Sequence, residues 1–237
     1  MSDVRPLDTP MTITTWRSQF WWHWIAANSL AELLGLGTVA ALGYAIASRV
    51  REPHGVFQAI AFASVFVLLG AFEGLVVGWA QAKVLKLRLP GLTGWVRATV
   101  VGAAVSWALG MAPSTIMSLG QASEAKPPPE ISEPLRLLLA AGLGLVAGPA
   151  LAFFQWRRLR RHVPRAGLWL PANSVAWAVG MPVIFLGAHV SACTTVPLLV
   201  AAGVGAALAA AGALVGAIHG RALLWLLPVA SPSEAAV

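Results

Sequence analysis

Two acidic residues, Glu32 and Glu73, and one histidine, His219, stand well inside apolar runs of this 237-residue sequence. If those runs lie in a bilayer, an ionised carboxylate at mid-depth costs about 2.5–3.5 kcal/mol on insertion scales. Each glutamate is then either a neutral, hydrogen-bonded packing group or one of a protonatable pair facing a cavity. Glu32 follows Asn28 by four residues, which on a helix puts both on one face with Glu32 roughly 6 Å deeper. Glu73 precedes Gln81 by eight residues, roughly 12 Å of helix rise, so both carboxyls fall near the middle of the span. An imidazole such as His219 titrates close to neutral pH, where it relays protons or binds metal, or it serves only as a hydrogen-bond partner.

His219 also belongs to a column. "GLVVGWAQAKVL" starts at Gly74, "GPALAFFQWRRL" at Gly148 and "GALVGAIHGRAL" at Gly212, with Gln81, Gln155 or His219 in eighth place. A basic residue stands tenth (Lys83, Arg157, Arg221) and a leucine twelfth (Leu85, Leu159, Leu223). At 100° per residue, positions one, five, eight and twelve share a helix face, and the basic tenth position points away. Small residues four apart let membrane helices approach closely, and amide side chains then hydrogen-bond across the contact. Gln81, Gln155 and His219 are accordingly expected to tie their helices to neighbours through Asn28 or Asn173, or else to line a cytoplasm-facing cavity. Glu32, Glu73, Asn28, Gln81, Gln155, Asn173 and His219 together form the candidate ligand-binding or cavity set.

Nothing of comparable specificity points to catalysis. There is no H-E-x-x-H motif, no serine-histidine-acid grouping, no phosphate-cradling glycine loop and no dinucleotide fingerprint in the sequence. No catalytic residue, metal ligand or cofactor is assigned, and the reading leans away from an enzyme. Cys193 is the single cysteine; it makes no intramolecular disulfide and is expected to be a small buried apolar residue.

The elements that must position these residues follow from composition. With 58% hydrophobic residues, 11% charged and a mean hydropathy of +0.75, the chain has too little polar surface to clothe a soluble globule. A transmembrane helix needs about 20 mostly apolar residues, and six such stretches occur, at about 20–48, 56–82, 94–119, 136–156, 168–191 and 196–227. They are continuous rather than alternating, which excludes β-barrel strands. The expected fold is an all-α polytopic membrane protein: one six-helix transmembrane domain over 20–227, a cytoplasmic tail over 1–19 and a disordered tail over 228–237. The first twenty residues do not read as a cleaved signal peptide, so the first helix doubles as the targeting signal. The segment 120–134, with Pro127, Pro128 and Pro129 in a row, is expected to be extended on the outer side.

Basic residues are distributed unevenly. Of the 16 lysines and arginines, Arg49, Arg51, Lys126 and Arg136 fall on one side and all the others on the opposite side. The positive-inside rule then makes both termini and the turns around 83–97 and 157–167 cytoplasmic, as in a bacterial inner membrane. "QWRRLRRHVPR", which holds Arg157, Arg158, Arg160 and Arg161, is expected to meet anionic lipid headgroups and not nucleic acid. Trp24, Trp95 and Trp169, with Trp21 and Trp22, fall at the cytoplasmic border and are expected to anchor the interface. Trp107 and Trp177 lie deeper, as packing residues or as the wall of an apolar cavity.

The helices alternate in type. "ANSVAWAVGM" at 172–181 is echoed by "GAAVSWALGM" at 102–111 and more faintly by "ANSLAELLGL" at 27–36, each on the helix that follows a glycine-column helix. The chain opens on the second helix of such a unit and closes on the first helix of one. If the terminal helices pair, three hairpins close into a ring with approximate three-fold symmetry. The motifs around Gly148, Gln155, Trp156, Leu159, Arg160 and Arg161, and then Trp169, Ala172, Asn173, Trp177 and Gly180, resemble a class of bacterial six-helix integral membrane proteins with repeated G-x3-G-x2-QW-x2-LRR and W-x2-AN-x3-W-x2-G signatures. That resemblance implies six helices in a bacterial membrane and no particular activity; it departs at Ala103 and Glu32. The reading placed first is a non-enzymatic structural or accessory subunit packing against other integral membrane proteins. The alternative is a transporter or binder of a small hydrophobic molecule or proton-coupled solute that uses an intramembrane polar cavity.

Overall fold

The protein was analysed as a computed structural model that describes residues 13–49, 55–120 and 131–227. The expected outer segment and C-terminal tail fall largely or wholly outside the described residues. Six helices account for nearly all of what is described: α1 (Ile13–Ala47), α2 (Val56–Leu85), α3 (Trp95–Gly120), α4 (Glu133–Leu159), α5 (Trp169–Ala192) and α6 (Pro197–Leu226). A single 3-10 turn, Ala166–Leu168, leads into α5. All six are long and apolar enough to cross a membrane, and among the described residues there is no strand. The all-α polytopic fold expected from composition is therefore the fold observed.

The distribution of side chains is that of a protein solvated by lipid. Large apolar residues such as Phe57, Leu68, Leu198 and Trp225 are exposed on the outside, whereas Asn28, Glu32, Glu73, Gln81, Thr99, Gln155, Asn173 and His219 are buried within. Hydrocarbon gives apolar side chains no reason to turn inward and gives polar ones every reason to find partners inside the bundle.

Each helix packs against its neighbours in chain order, and α6 packs against α1, which closes the ring. Small residues set how closely the helices approach. A side chain at Gly148 would run into the carbonyl of Asn173, and one at Gly212 would lie 2.7 Å from the carbonyl of Asn28, so neither position tolerates a methyl group without helix movement. The helices pack most closely within the hairpins α2–α3, α4–α5 and α6–α1 and less closely at the junctions α1–α2 and α3–α4, whereas the third junction, α5–α6, is as close as a hairpin. Gly187 lies against Ala207, and Gly203 against the Ser191 hydroxyl, at that contact.

Two boundaries differ from expectation. The segment assigned to a cytoplasmic tail is helical from Ile13, because Trp16 and Phe20 bury into the core at that end of the bundle and Arg17 Nη2 donates to the Leu224 carbonyl at 2.9 Å. α4 begins at Glu133, earlier than hydropathy suggests, since Pro134 takes the first turn where a missing N–H costs nothing. Cys193 is also corrected: it is exposed, because it caps the end of α5 and lies outside the packed interface.

Candidate functional site: a polar layer, a small void and an apolar cavity

At the end where the basic turns lie, the centre of the bundle is sealed. Trp24 and Trp95 both pack on Trp169, with centroids 6.3 and 5.9 Å apart. Leu85, Leu159 and Leu223, the twelfth residues of the three glycine motifs, are wholly buried in the same cluster. The assignment of Trp24, Trp95 and Trp169 to the lipid interface is thus overturned. Their relative exposures are 0%, 2% and 0%, because each indole N–H has a hydrogen-bond acceptor inside the bundle. Trp24 Nε1 donates to His219 Nδ1 at 2.9 Å, Trp95 Nε1 to Gln81 Oε1 at 3.1 Å and Trp169 Nε1 to Gln155 Oε1 at 2.9 Å. Of the expected border tryptophans Trp22 is exposed and Trp21 half-buried; Arg221 lies over Trp21, Lys83 over the exposed Trp79 and Arg160 over the half-buried Trp156, while Arg88 lies over the buried Trp16. Arg157, Arg160 and Arg161 are exposed there, and Arg158 is half-buried with its guanidinium beside Gly94.

One turn deeper lies a connected amide layer. Gln81 Nε2 donates to Asn28 Oδ1 at 2.8 Å, and Gln155 Nε2 to Thr99 Oγ1 at 2.9 Å and to Gln81 Oε1 at 3.2 Å. Asn28, Thr99 and Asn173 each donate back to the carbonyl of the tryptophan four residues earlier. The glutamines therefore do tie helices together, with Asn28 as one partner, but the second partner is Thr99 and not Asn173. His219 acts as an acceptor at Nδ1, which puts its proton on Nε2. Among the described residues the tryptophan and leucine seal closes the basic end of the bundle next to this layer, so these residues line no cavity open to that end.

Thr99 escaped the sequence reading because "GAAVSWALGM" was matched to "ANSVAWAVGM" at Ala103. The contacts use a register one helical turn earlier: Gly74 lies against the Thr99 carbonyl as Gly148 does against Asn173 and Gly212 against Asn28. A shift of four residues keeps the same helix face, and in Ala- and Gly-rich sequence it costs almost no similarity. The spacing of a tryptophan followed four residues later by Asn or Thr was the signal that would have found it.

Beyond the layer, away from the seal, Glu32, Glu73, Asn28, Gln81, Thr99, Asn173 and His219 all border a void of about 10 Å³, room for about one water-sized group. Glu32 is buried and its Oε2 has no hydrogen-bond partner. Glu73 Oε2 accepts from Trp107 Nε1 at 2.7 Å. The void adjoins a larger cavity of about 310 Å³; Glu73, Ala103, Leu151 and Trp177 border both. Trp107, Met111, Met181 and Phe185 wall the larger one, which identifies the two deeper tryptophans as cavity wall. Glu73 is the only charged residue type along it. Met111, Met181 and Phe185 were invisible beforehand, because an apolar residue facing a cavity and one facing lipid read alike.

The candidate set is thus brought together, with Gln155 as the one member that supports the layer without bordering the void. Among the described residues no three His, Cys, Asp or Glu side chains form a metal-ligand group. Fold and site together define an integral membrane protein: a closed six-helix bundle, sealed at its basic end, with buried polar chemistry at mid-depth and an apolar cavity beyond. Comparison with family models, curated proteins and solved structures found no match for this chain.

Proposed function

We propose that this membrane protein binds a small, largely apolar molecule in the 310 Å³ cavity, with Glu73 and Trp107 as its polar contact. The observation that carries the reading is the cavity itself. It falls in the volume range of small-molecule sites, and it has their composition of apolar walls around very few polar groups. A purely structural or accessory subunit would leave such a space unexplained, so the order of the two readings is reversed here.

Several finer assignments belong to the same proposal. The sealed end faces the cytoplasm of a bacterial inner membrane and the cavity lies toward the outer side, supported by the concentration of Lys and Arg at the seal. Anionic headgroups are the partners of Arg157, Arg158, Arg160 and Arg161. The three hairpins are related by approximate three-fold symmetry, supported by the recurrence of the pairs Trp24–His219, Trp95–Gln81 and Trp169–Gln155. The chain belongs with the six-helix class that its glycine and tryptophan motifs resemble.

The test is extraction in native lipid particles followed by mass spectrometry of bound small molecules. A stoichiometric apolar compound is expected from the parent protein and is expected to be lost from Ala147→Phe, which fills the cavity from α4. Retention of the compound by a folded Ala147→Phe protein would place its site elsewhere.

A further inference from the structure

The geometry points to a lipophilic amine as the ligand: its ammonium group enters the small void between Glu32 and Glu73 and its apolar body fills the adjoining cavity. This rests on the reading that the cavity is a ligand site and adds the chemical class of what it takes.

Four observations converge. The site has two parts of very different size, about 10 Å³ to which seven polar side chains contribute alongside apolar ones and about 310 Å³ bordered mostly by apolar ones, and Glu73 is common to both. A molecule with a compact charged head and a bulky hydrocarbon body has that shape. The small part holds two carboxyl groups, and Glu32 Oε2 is buried there with no partner; a carboxylate in a membrane interior needs a compensating charge or hydrogen bonds. The described residues supply no such charge at the void. Among the described residues the ion pairs involve only Glu133 with Arg136 and His189, near one helix end. His219, the remaining titratable group at the void, has its Nδ1 engaged by Trp24. Finally, Trp177 borders both parts and Trp107 walls the larger one, hydrogen-bonded to Glu73, and indole faces attract an alkylammonium in a desolvated site. An ammonium brings a positive charge and three donors for the carboxyl oxygens, whereas a hydroxyl brings one donor and no charge and an anionic head would repel both carboxylates.

The test compares two probes of equal shape, adamantan-1-amine and neutral adamantan-1-ol, titrated calorimetrically into the full protein in lipid nanodiscs. The amine is expected to bind at least tenfold more tightly than the alcohol. Glu73→Gln and Glu32→Gln should each weaken the amine at least tenfold while leaving the alcohol within about threefold. Where Glu73→Gln does not fold, Glu73→Asp withdraws the charge by one methylene and is expected to weaken the amine alone. Equal binding of amine and alcohol, unaffected by either glutamate, would overturn the amine assignment and leave the cavity reading standing. Binding of neither probe, with Ala147→Phe also without effect on co-purified molecules, would overturn both.

Discussion

Replacing Gln155 with leucine, which is similar in size and apolar, removes the amide that joins four helices while keeping the volume filled. From α4, Gln155 donates to Gln81 on α2 and to Thr99 on α3, and accepts from Trp169 on α5. At an average of about 0.6 kcal/mol per side-chain hydrogen bond in a membrane protein, the three bonds amount to about 2 kcal/mol. The partners differ in what they keep. Gln81 Oε1 still accepts from Trp95, and Thr99 Oγ1 still donates to the Trp95 carbonyl, but the buried Trp169 N–H is left with no acceptor. Such an orphaned donor costs about 1–3 kcal/mol in place of its own bond, and with about 1.2 kcal/mol for the other two bonds the expected loss is about 2–4 kcal/mol. Reversible unfolding in mixed detergent micelles measures it. A double-mutant cycle isolates the key contact: Trp169→Phe removes the indole N–H, and the two substitutions together should cost at least about 1 kcal/mol less than their sum. A Gln155→Leu protein as stable as the parent, or strict additivity in the cycle, would refute the claim that this layer holds the bundle.

Three further outcomes are expected. His219→Gln, which restores the residue type of its column, should change stability by less than about 1 kcal/mol, whereas His219→Leu should cost about 1–3 kcal/mol by orphaning the Trp24 indole; thermal unfolding of the pair separates a hydrogen-bonding role from any special need for imidazole. Gly148→Ala should lose roughly 1–3 kcal/mol because its methyl meets the Asn173 backbone, while Gly142→Ala, which meets nothing within 4 Å, should gain up to about 1 kcal/mol in helix propensity; equal responses in a melting series would dismiss the close-approach argument. Cys193, exposed beyond the last turn of α5, should react with a membrane-impermeant maleimide added outside intact cells, and labelling only after permeabilisation would invert the proposed orientation.

Much of this architecture was legible in the chain itself. Six helices, a lipid solvent and the pairing of the first helix with the last follow from continuous apolar runs and a repeated glycine motif, because length and hydropathy are properties of single segments. The presence of Gln81, Gln155 and His219 in one column likewise foretold a buried polar layer, since polar groups in hydrocarbon must find partners. What stayed hidden was direction. A tryptophan near a membrane border reads as a lipid anchor, and only packing showed that Trp24, Trp95 and Trp169 turn inward to reach three acceptors on neighbouring helices. The register of the middle repeat was marked only by Thr99 following Trp95 at the spacing of Asn28 after Trp24 and Asn173 after Trp169, a faint signal because a one-turn shift preserves helix face and composition; the hydrogen bonds of Thr99 to Trp95 and Gln155 made it plain. The cavity was least legible of all. In a lipid-solvated protein Met111, Met181 and Phe185 are as apolar facing a hollow as facing the bilayer, so an empty space between helices leaves no mark on the sequence that encloses it.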